Sequence, residues 1–235
     1  MSSLTFGISQ PNSFVPYGIA ELAFLAKDAE EAVTDLWLGL FGTRSIDVDD
    51  GFIFDGASSL FARRRLTPVS EETYEPDPTS TVVADTLANL QRAVIVQPVN
   101  ENESSNAEFE PFVFLAAERF GMIGVRRPNL VTLISGLEPA PRAEQLTDIV
   151  DAITAAGPNV AVVLSSAAAG ESDPRTMTVQ LESETFTVRR SIGSDDPEPE
   201  FVDIAELLGM VEWLLAVEGA AHELQSNTIR EEDDA

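Results

Sequence analysis

A single lysine, thirteen arginines and forty acidic side chains in 235 residues determine the surface chemistry of this chain before any of its folding is read. The formal charge is −26 and the isoelectric point is near 4.1, yet 44% of the residues are hydrophobic. A disordered acidic chain lacks that apolar fraction, so this one buries a core and carries its acid outside. At ordinary ionic strength so many like charges repel and loosen a compact state. In molar salt the screening length falls to about 3 Å and most of the repulsion is lost. The length suits one large domain or two small ones. The absence of cysteine excludes disulfides, thiolate metal sites and cysteine nucleophiles together. No uncharged apolar stretch approaches the roughly 18 residues that span a bilayer. Residues 1–10 have neither the basic start nor the apolar run of a signal peptide. The expectation is a chain with no membrane insertion, whose acidity also disfavours nucleic acid as a partner.

Hydrophobic spacing organises the chain. Leu22, Leu25, Ala29, Val33, Leu36 and Leu40 predict one helix over 18–41, with Glu21, Asp28, Glu31 and Asp35 on its other side. Trp37, Leu38 and Phe41 widen its apolar stripe, so a partner subunit or one large core must cover a second side. Two β-like runs, 45–54 and 59–66, flank Asp55-Gly56 and predict a hairpin. Segments 68–80 and 100–110 read as polar loops. The stretch 82–96 begins with helical spacing (Val83, Leu87, Leu90) and ends as a strand, while 111–125 reads as strand, helix or one after the other.

The clearest unit is a strand at 130–134, a helix at 143–156 with Leu146, Ile149, Val150 and Ile153 on its apolar side, and a strand at 160–164. It predicts a right-handed crossover between parallel strands, adjacent or one strand apart. Met177, Val179 and Leu181 alternate with polar residues and 185–190 continues the pattern, so Ser183-Glu184 turns a hairpin. Ile204, Leu207, Leu208, Val211, Leu214 and Leu215 mark a closing helix. The expected class is α+β: a mixed sheet with a βαβ unit, an antiparallel hairpin and flanking amphipathic helices. It divides into an N-terminal helix and β-hairpin region at 1–126, a βαβ-plus-hairpin unit with closing helix at 127–226 and an acidic tail at 227–235, or it forms one single domain. No internal repeat of fixed period is present.

Catalytic chemistry finds little purchase. His222 is the only histidine, so neither a multi-histidine metal site nor an HExxH motif exists. Its place near the end of an amphipathic helix suits a surface or interface histidine. Lys27 stands three and four residues before Glu30 and Glu31, where ion pairing is expected. No GxxxxGK[ST], GxGxxG or GxSxG motif occurs. Gly121 and Gly124, followed by Arg126 and Arg127, have the bare GxxG spacing of a KH nucleic-acid loop, but the residues between are apolar. Asp47, Asp49, Asp50 and Gly51 imitate a calcium loop, yet the glycine comes one place early and Ser58 stands where the closing glutamate belongs. A solvated hairpin end is the simpler reading. Asn102-Glu103-Ser104 is a glycosylation acceptor pattern that marks only an exposed loop. No catalytic residue, cofactor or metal ligand is assigned.

The arginines offer the best candidates. Seven of the thirteen fall in the clusters 63–65, 126–127 and 189–190. Local pairing with the acid surplus is the simple account; contact with acid on neighbouring chains is the functional one, because the arginine fork pairs bidentately with carboxylates. The candidate interface residues are Arg63, Arg64, Arg65, Arg126, Arg127, Trp37 and Phe41.

Two resemblances bear on role. The acid-rich, lysine-poor composition resembles that of proteins from extreme halophiles. From Ala143 to Val217 the order helix, apolar strand, two antiparallel strands and closing helix resembles the tail-terminator and neck proteins of tailed viruses, small α+β subunits that form rings. That resemblance rests on element order, has no diagnostic motif and transfers no residue. It implies a head–tail or tail component of the virion of a virus infecting a halophilic archaeon, assembled in a ring. Together with the missing catalytic motifs, the expectation is a non-enzymatic structural or assembly protein in the virion or cytoplasm of a halophilic host, with copies of itself or other structural proteins as partners. The alternative is a small-molecule-binding protein or enzyme using the strand ends at Ser135-Gly136 and Ser165-Ser166 with Gly170.

Overall fold

A computed structural model describes residues 15–40, 48–70, 73–100, 111–117, 121–127, 130–135, 141–155, 160–183, 185–193 and 198–217. Their elements run β1 (Val15–Tyr17), α1 (Ile19–Leu25), α2 (Glu31–Leu40), α3 (Asp50–Ala62), β2 (Leu66–Pro68), β3 (Tyr74–Pro76), α4 (Pro78–Ala88), β4 (Leu90–Asn100) and β5 (Phe112–Ala117). There follow β6 (Gly121–Arg127), β7 (Leu130–Ser135), α5 (Arg142–Thr154), β8 (Val160–Ala168), β9 (Arg175–Glu182), β10 (Thr185–Ile192), β11 (Glu200–Val202) and α6 (Ile204–Leu215).

The class is α+β. Among the described residues nine strands form one sheet in the order β1-β7-β6-β5-β4-β8-β9-β10-β11, and β2 and β3 form a separate hairpin. Every neighbouring pair is antiparallel. The central pair joins β4 to β8 in unbroken register from Arg92↔Ala168 to Asn100↔Val160, so the sheet draws strands from both sides of residue 126.

Alternation along β4 explains the layers. Val94 and Val96 face α5 and α6, while Ala93 faces the layer of α1 to α4. The first core gathers Phe112, Phe114, Val162, Leu164, Met177 and Val179 under the helical residues Leu146, Ile149, Val150 and Ile153. Those four were expected to face the sheet, and they do. The second core packs Leu22, Trp37, Leu60 and Leu87 over Val113 and Leu115. The expected hairpin is β9 and β10, with Ser183 in the left-handed region (φ 62°) at the turn.

Four expectations are corrected, the first being the polar loop over 68–80, in which 74–76 form β3 and 78–80 open helix α4. The strands at 130–134 and 160–164 run in the same direction, but β6, β5 and β4 lie between them, so the sheet is antiparallel, not mixed. Periodicity identifies a buried strand without specifying its neighbour, and the ambiguous stretches 82–96 and 111–125 contribute to the intervening meander of β4, β5 and β6. The expected hairpin over 45–54 and 59–66 is replaced by helix α3. Asp49 caps it, its Oδ1 accepting the Phe52 N–H at 2.8 Å, and Asp47 lies outside the described residues. Gly56 is needed for close helix contact instead of a turn: a Cβ there would lie 2.0 Å from the Ala20 carbonyl oxygen of α1. Finally, the helix expected over 18–41 is two helices, α1 and α2, which bring Leu22 and Trp37 to one core from different directions.

Candidate interaction surface

The first arginine cluster follows directly from how α3 ends. Arg63 is its C-cap, and Arg64 takes the left-handed conformation (φ 59°) that glycine usually fills. The Arg65 N–H reaches back to the Leu60 carbonyl at 2.8 Å and the Arg64 N–H to that of Phe61 at 2.9 Å, a Schellman closure. This turn sends the three side chains to different places.

Arg63 reaches the buried Glu21 of α1, donating to its two carboxylate oxygens at 2.9 and 2.6 Å and to the Pro16 carbonyl at 2.7 Å. Glu21 also accepts from Ser59 Oγ at 2.7 Å and from the Gly18 N–H at 2.8 Å, so the Glu21–Arg63 pair ties β1, α1 and α3 together. Arg65 donates to Tyr17 Oη and Asp77 Oδ2, each at 3.2 Å, and lies over the Tyr17 ring. Burial pushes the Tyr17 phenol up, only partly opposed by its hydrogen bond with Ser80 and the charge of Arg65. Arg64 is exposed, and its side chain has no hydrogen bond or ion pair among the described residues. Of the three, it alone remains available to a partner.

The other candidates scatter. Trp37 is 0% exposed and belongs to the second core, so its breadth of apolar surface is met within the chain. Phe41 and His222 lie outside the described residues. Arg126 and Arg127 stand in β6 opposite Val131 and Leu130. The Gly121–Gly124 spacing falls on that same strand, which is not the loop a KH site requires. Arg190 pairs with Glu200 at 2.8 Å and stacks on Trp213. Arg189 points to the opposite face of β10, as strand geometry demands. Lys27 lies over the Phe24 ring at 5.2 Å, a cation–π contact that the expected spacing to Glu30 and Glu31 did not foresee.

A second arginine assembly escaped sequence reading. Arg92 is 0% exposed, on the α6 side of β4. It forms two parallel 2.8 Å hydrogen bonds to Glu171 and donates through Nε to the Ala216 carbonyl at 2.7 Å. Arg175 donates to the Trp213 and Ala216 carbonyls at 2.6 and 2.9 Å, and Ser166 Oγ donates to the Leu214 carbonyl at 2.9 Å. Two guanidinium groups thus satisfy the open carbonyls at the C-terminus of α6, where cations also oppose the helix dipole. Burial alone would raise the Glu171 pKa. The Arg92 hydrogen bonds and charge, the Ala168 N–H and Arg175 outweigh it and hold the carboxyl below its usual value. The signal was present in Arg92, a charge at an inward position of an apolar strand, which calls for a buried counter-charge.

Large apolar side chains also stand in solvent. On α3, Phe54 is 70% and Phe61 52% exposed, and on the edge strand β11 Phe201 is 68% exposed. Among the described residues no cluster of three or more His, Asp or Glu is placed to hold a metal, and no helix is long and apolar enough to cross a membrane.

No protein-family model and no curated protein matches the sequence. Among solved structures the chain is similar to the type VII secretion system chaperone EspG5 of Mycobacterium tuberculosis, solved in complex with a PE25–PPE41 dimer. The two share 9% identity over 86% of this chain and 96% of that one, with a TM-score of 0.42, a likeness too slight to carry an argument about role.

Proposed function

We propose that this chain is a non-enzymatic structural or assembly subunit adapted to high salt. The observation that carries the reading is the pair of phenylalanines projecting into solvent from α3, since exposed apolar surface of this kind marks interaction sites. The buried ionic groups support it: Glu21, Glu171, Arg92 and Arg175 have their hydrogen-bonding capacity engaged within the fold. Arg92 and Arg175 hold the Glu171 carboxyl below its usual value and burial raises the Tyr17 phenol, so both groups are tied into the fold's own contacts. The finer form of the proposal is a head–tail or tail component of the virion of a virus infecting a halophilic archaeon. Its support is the order α5, β8, β9, β10, β11, α6 together with the acid-rich composition.

The small-molecule alternative rested on a crevice between neighbouring parallel strands. Three strands stand between β7 and β8, so those two do not form neighbouring parallel strands, and Ser166 is engaged by Arg92 and the Leu214 carbonyl; Gly136 lies outside the described residues. Light scattering in molar potassium chloride tests the proposal. A defined assembly larger than the monomer is expected; a strict monomer with a ligand-dependent melting shift would overturn it.

A further inference from the structure

Helix α3 is complementary to itself. Asp50, Phe54, Ala57, Ser58 and Phe61 fall within about 100° of its circumference at ~100° per residue, opposite the buried Gly56 and Leu60. Asp50, Phe54, Ser58 and Phe61 are exposed and Ala57 is half-buried. About the midpoint between Ala57 and Ser58 the face is symmetric in kind. Phe54 and Phe61 stand at equal distances from it, the acidic Asp50 lies towards one end, and the unengaged Arg64 lies just past the other.

We propose that a second copy of this chain docks on α3 with the two α3 helices antiparallel about a twofold axis at Ala57-Ser58. The inference rests on the assembly reading above and names its contact. Phe54 of each copy meets Phe61 of the other. Arg64 of each comes within one residue of register with the acidic start of the opposing helix at Asp50. The small side chains at the axis let the helices approach to the ~8–10 Å of packed pairs. Opposed helix dipoles and the crossed Asp50–Arg64 charges favour this direction over the parallel one. The thirteen residues of α3 span about 20 Å. A contact confined to them buries less than the ~800 Å² per partner of a standard interface, so association is weak and concentration-dependent. Each copy carries a formal charge of −26, so salt strengthens the pairing by screening the repulsion. An isologous contact closes at two, and any larger ring needs a second face.

Sedimentation equilibrium in molar potassium chloride, with circular dichroism as the control for folding, tests the contact. The wild type should show a reversible dimer that Phe54→Ser with Phe61→Ser weakens at least tenfold while the spectrum is unchanged. Orientation is read by cross-linking, because the chain has no cysteine of its own. Under mild oxidation Ser58→Cys should form a disulfide dimer much faster than the exposed control Glu182→Cys. Asp50→Cys should cross-link with Arg64→Cys when the two are mixed, and poorly with itself. A wild type that stays monomeric would overturn both this contact and the homo-oligomeric form of the assembly reading. An assembly that survives the phenylalanine changes, or a Ser58→Cys no faster than the control, would overturn the contact and leave that reading standing.

Discussion

Arg92 and Glu171, 79 residues apart in sequence, are joined by two parallel hydrogen bonds of 2.8 Å beneath the C-terminus of α6. The guanidinium is fully buried and the carboxylate nearly so. Removing one partner from such a pair strands the other charge, at a cost of about 3–5 kcal/mol. Arg92→Leu should therefore lose about that much in urea unfolding measured in molar potassium chloride. Arg92→Leu combined with Glu171→Leu should recover part of the loss, because no buried carboxylate is left without its partner. A single variant within about 1 kcal/mol of wild type would show that water replaces the pair without penalty.

Glu171 also sets an acid limit. Its pKa is lower in the fold than in the unfolded chain, so the unfolded state binds the proton more readily as pH falls. The stabilisation is complete above the ordinary glutamate range, near pH 4.5, and disappears as pH drops through the lowered folded value. In molar salt, where general carboxylate repulsion is screened, Glu171→Gln should be less stable than wild type at neutral pH. The difference between the two should shrink on acidification. A constant difference from pH 7 to pH 3 would contradict the assignment.

What the sequence made legible was what periodicity carries alone. Helix α5 and the β9–β10 hairpin each present one clean pattern, and each stands where expected with its inward residues inward. Strand adjacency was not legible, since β7 and β8 each read as apolar whether their neighbour is parallel or antiparallel. At α3 a local turn signal in Asp55-Gly56 lost to tertiary packing, because the glycine serves the α1 contact. Of the candidate site, Arg64 was visible as a cluster member, but the intramolecular partners of Arg63 and Arg65 come from segments that only the fold brings near. Arg92 and Arg175, isolated in sequence, escaped a search for clusters.

Among the described glycines of the N-terminal layer, the α1–α3 contact makes Gly56 the least tolerant of a side chain. An added methyl would lie 2.0 Å from a backbone oxygen that belongs to a helix, so the helices must separate. Gly56→Ala normally gains helix propensity, by about 1 kcal/mol. Here a net loss of about 2 kcal/mol or more is expected from overpacking. Thermal unfolding of the variant reads the sign directly, and a stabilised Gly56→Ala would mean that the two helices are not in backbone contact.

Salt dependence follows from forty carboxylates against fourteen lysines and arginines. Several of those arginines are committed to internal pairs, Arg63 to Glu21 and Arg92 to Glu171 among them, and do little to relieve repulsion between surface acids. Dialysis from molar potassium chloride towards about 0.1 M lengthens the screening distance from about 3 Å to about 10 Å. Circular dichroism should then show loss of structure, recovered on returning the salt. A full native spectrum at the lower concentration would remove the case for adaptation to high salt.

Arg64 separates folding from assembly. A non-glycine residue in the left-handed region carries a strain of about 1 kcal/mol, and glycine is the residue favoured at this position of a helix end. Since the Arg64 side chain makes no hydrogen bond or ion pair among the described residues, the monomer loses little with it. Arg64→Gly should leave the melting temperature of the monomer unchanged or slightly raised. The same change deletes the charge placed opposite Asp50 of the second copy and should weaken the dimer by a few-fold in molar salt, where an exposed pair is already partly screened. Arg64→Lys keeps the charge but not the fork, and should weaken it less. Unfolding and sedimentation on the same preparations read the two effects independently. If Arg64→Gly destabilises the monomer, the arginine is serving the fold; if it leaves the dimer untouched, the charge plays no part in the contact.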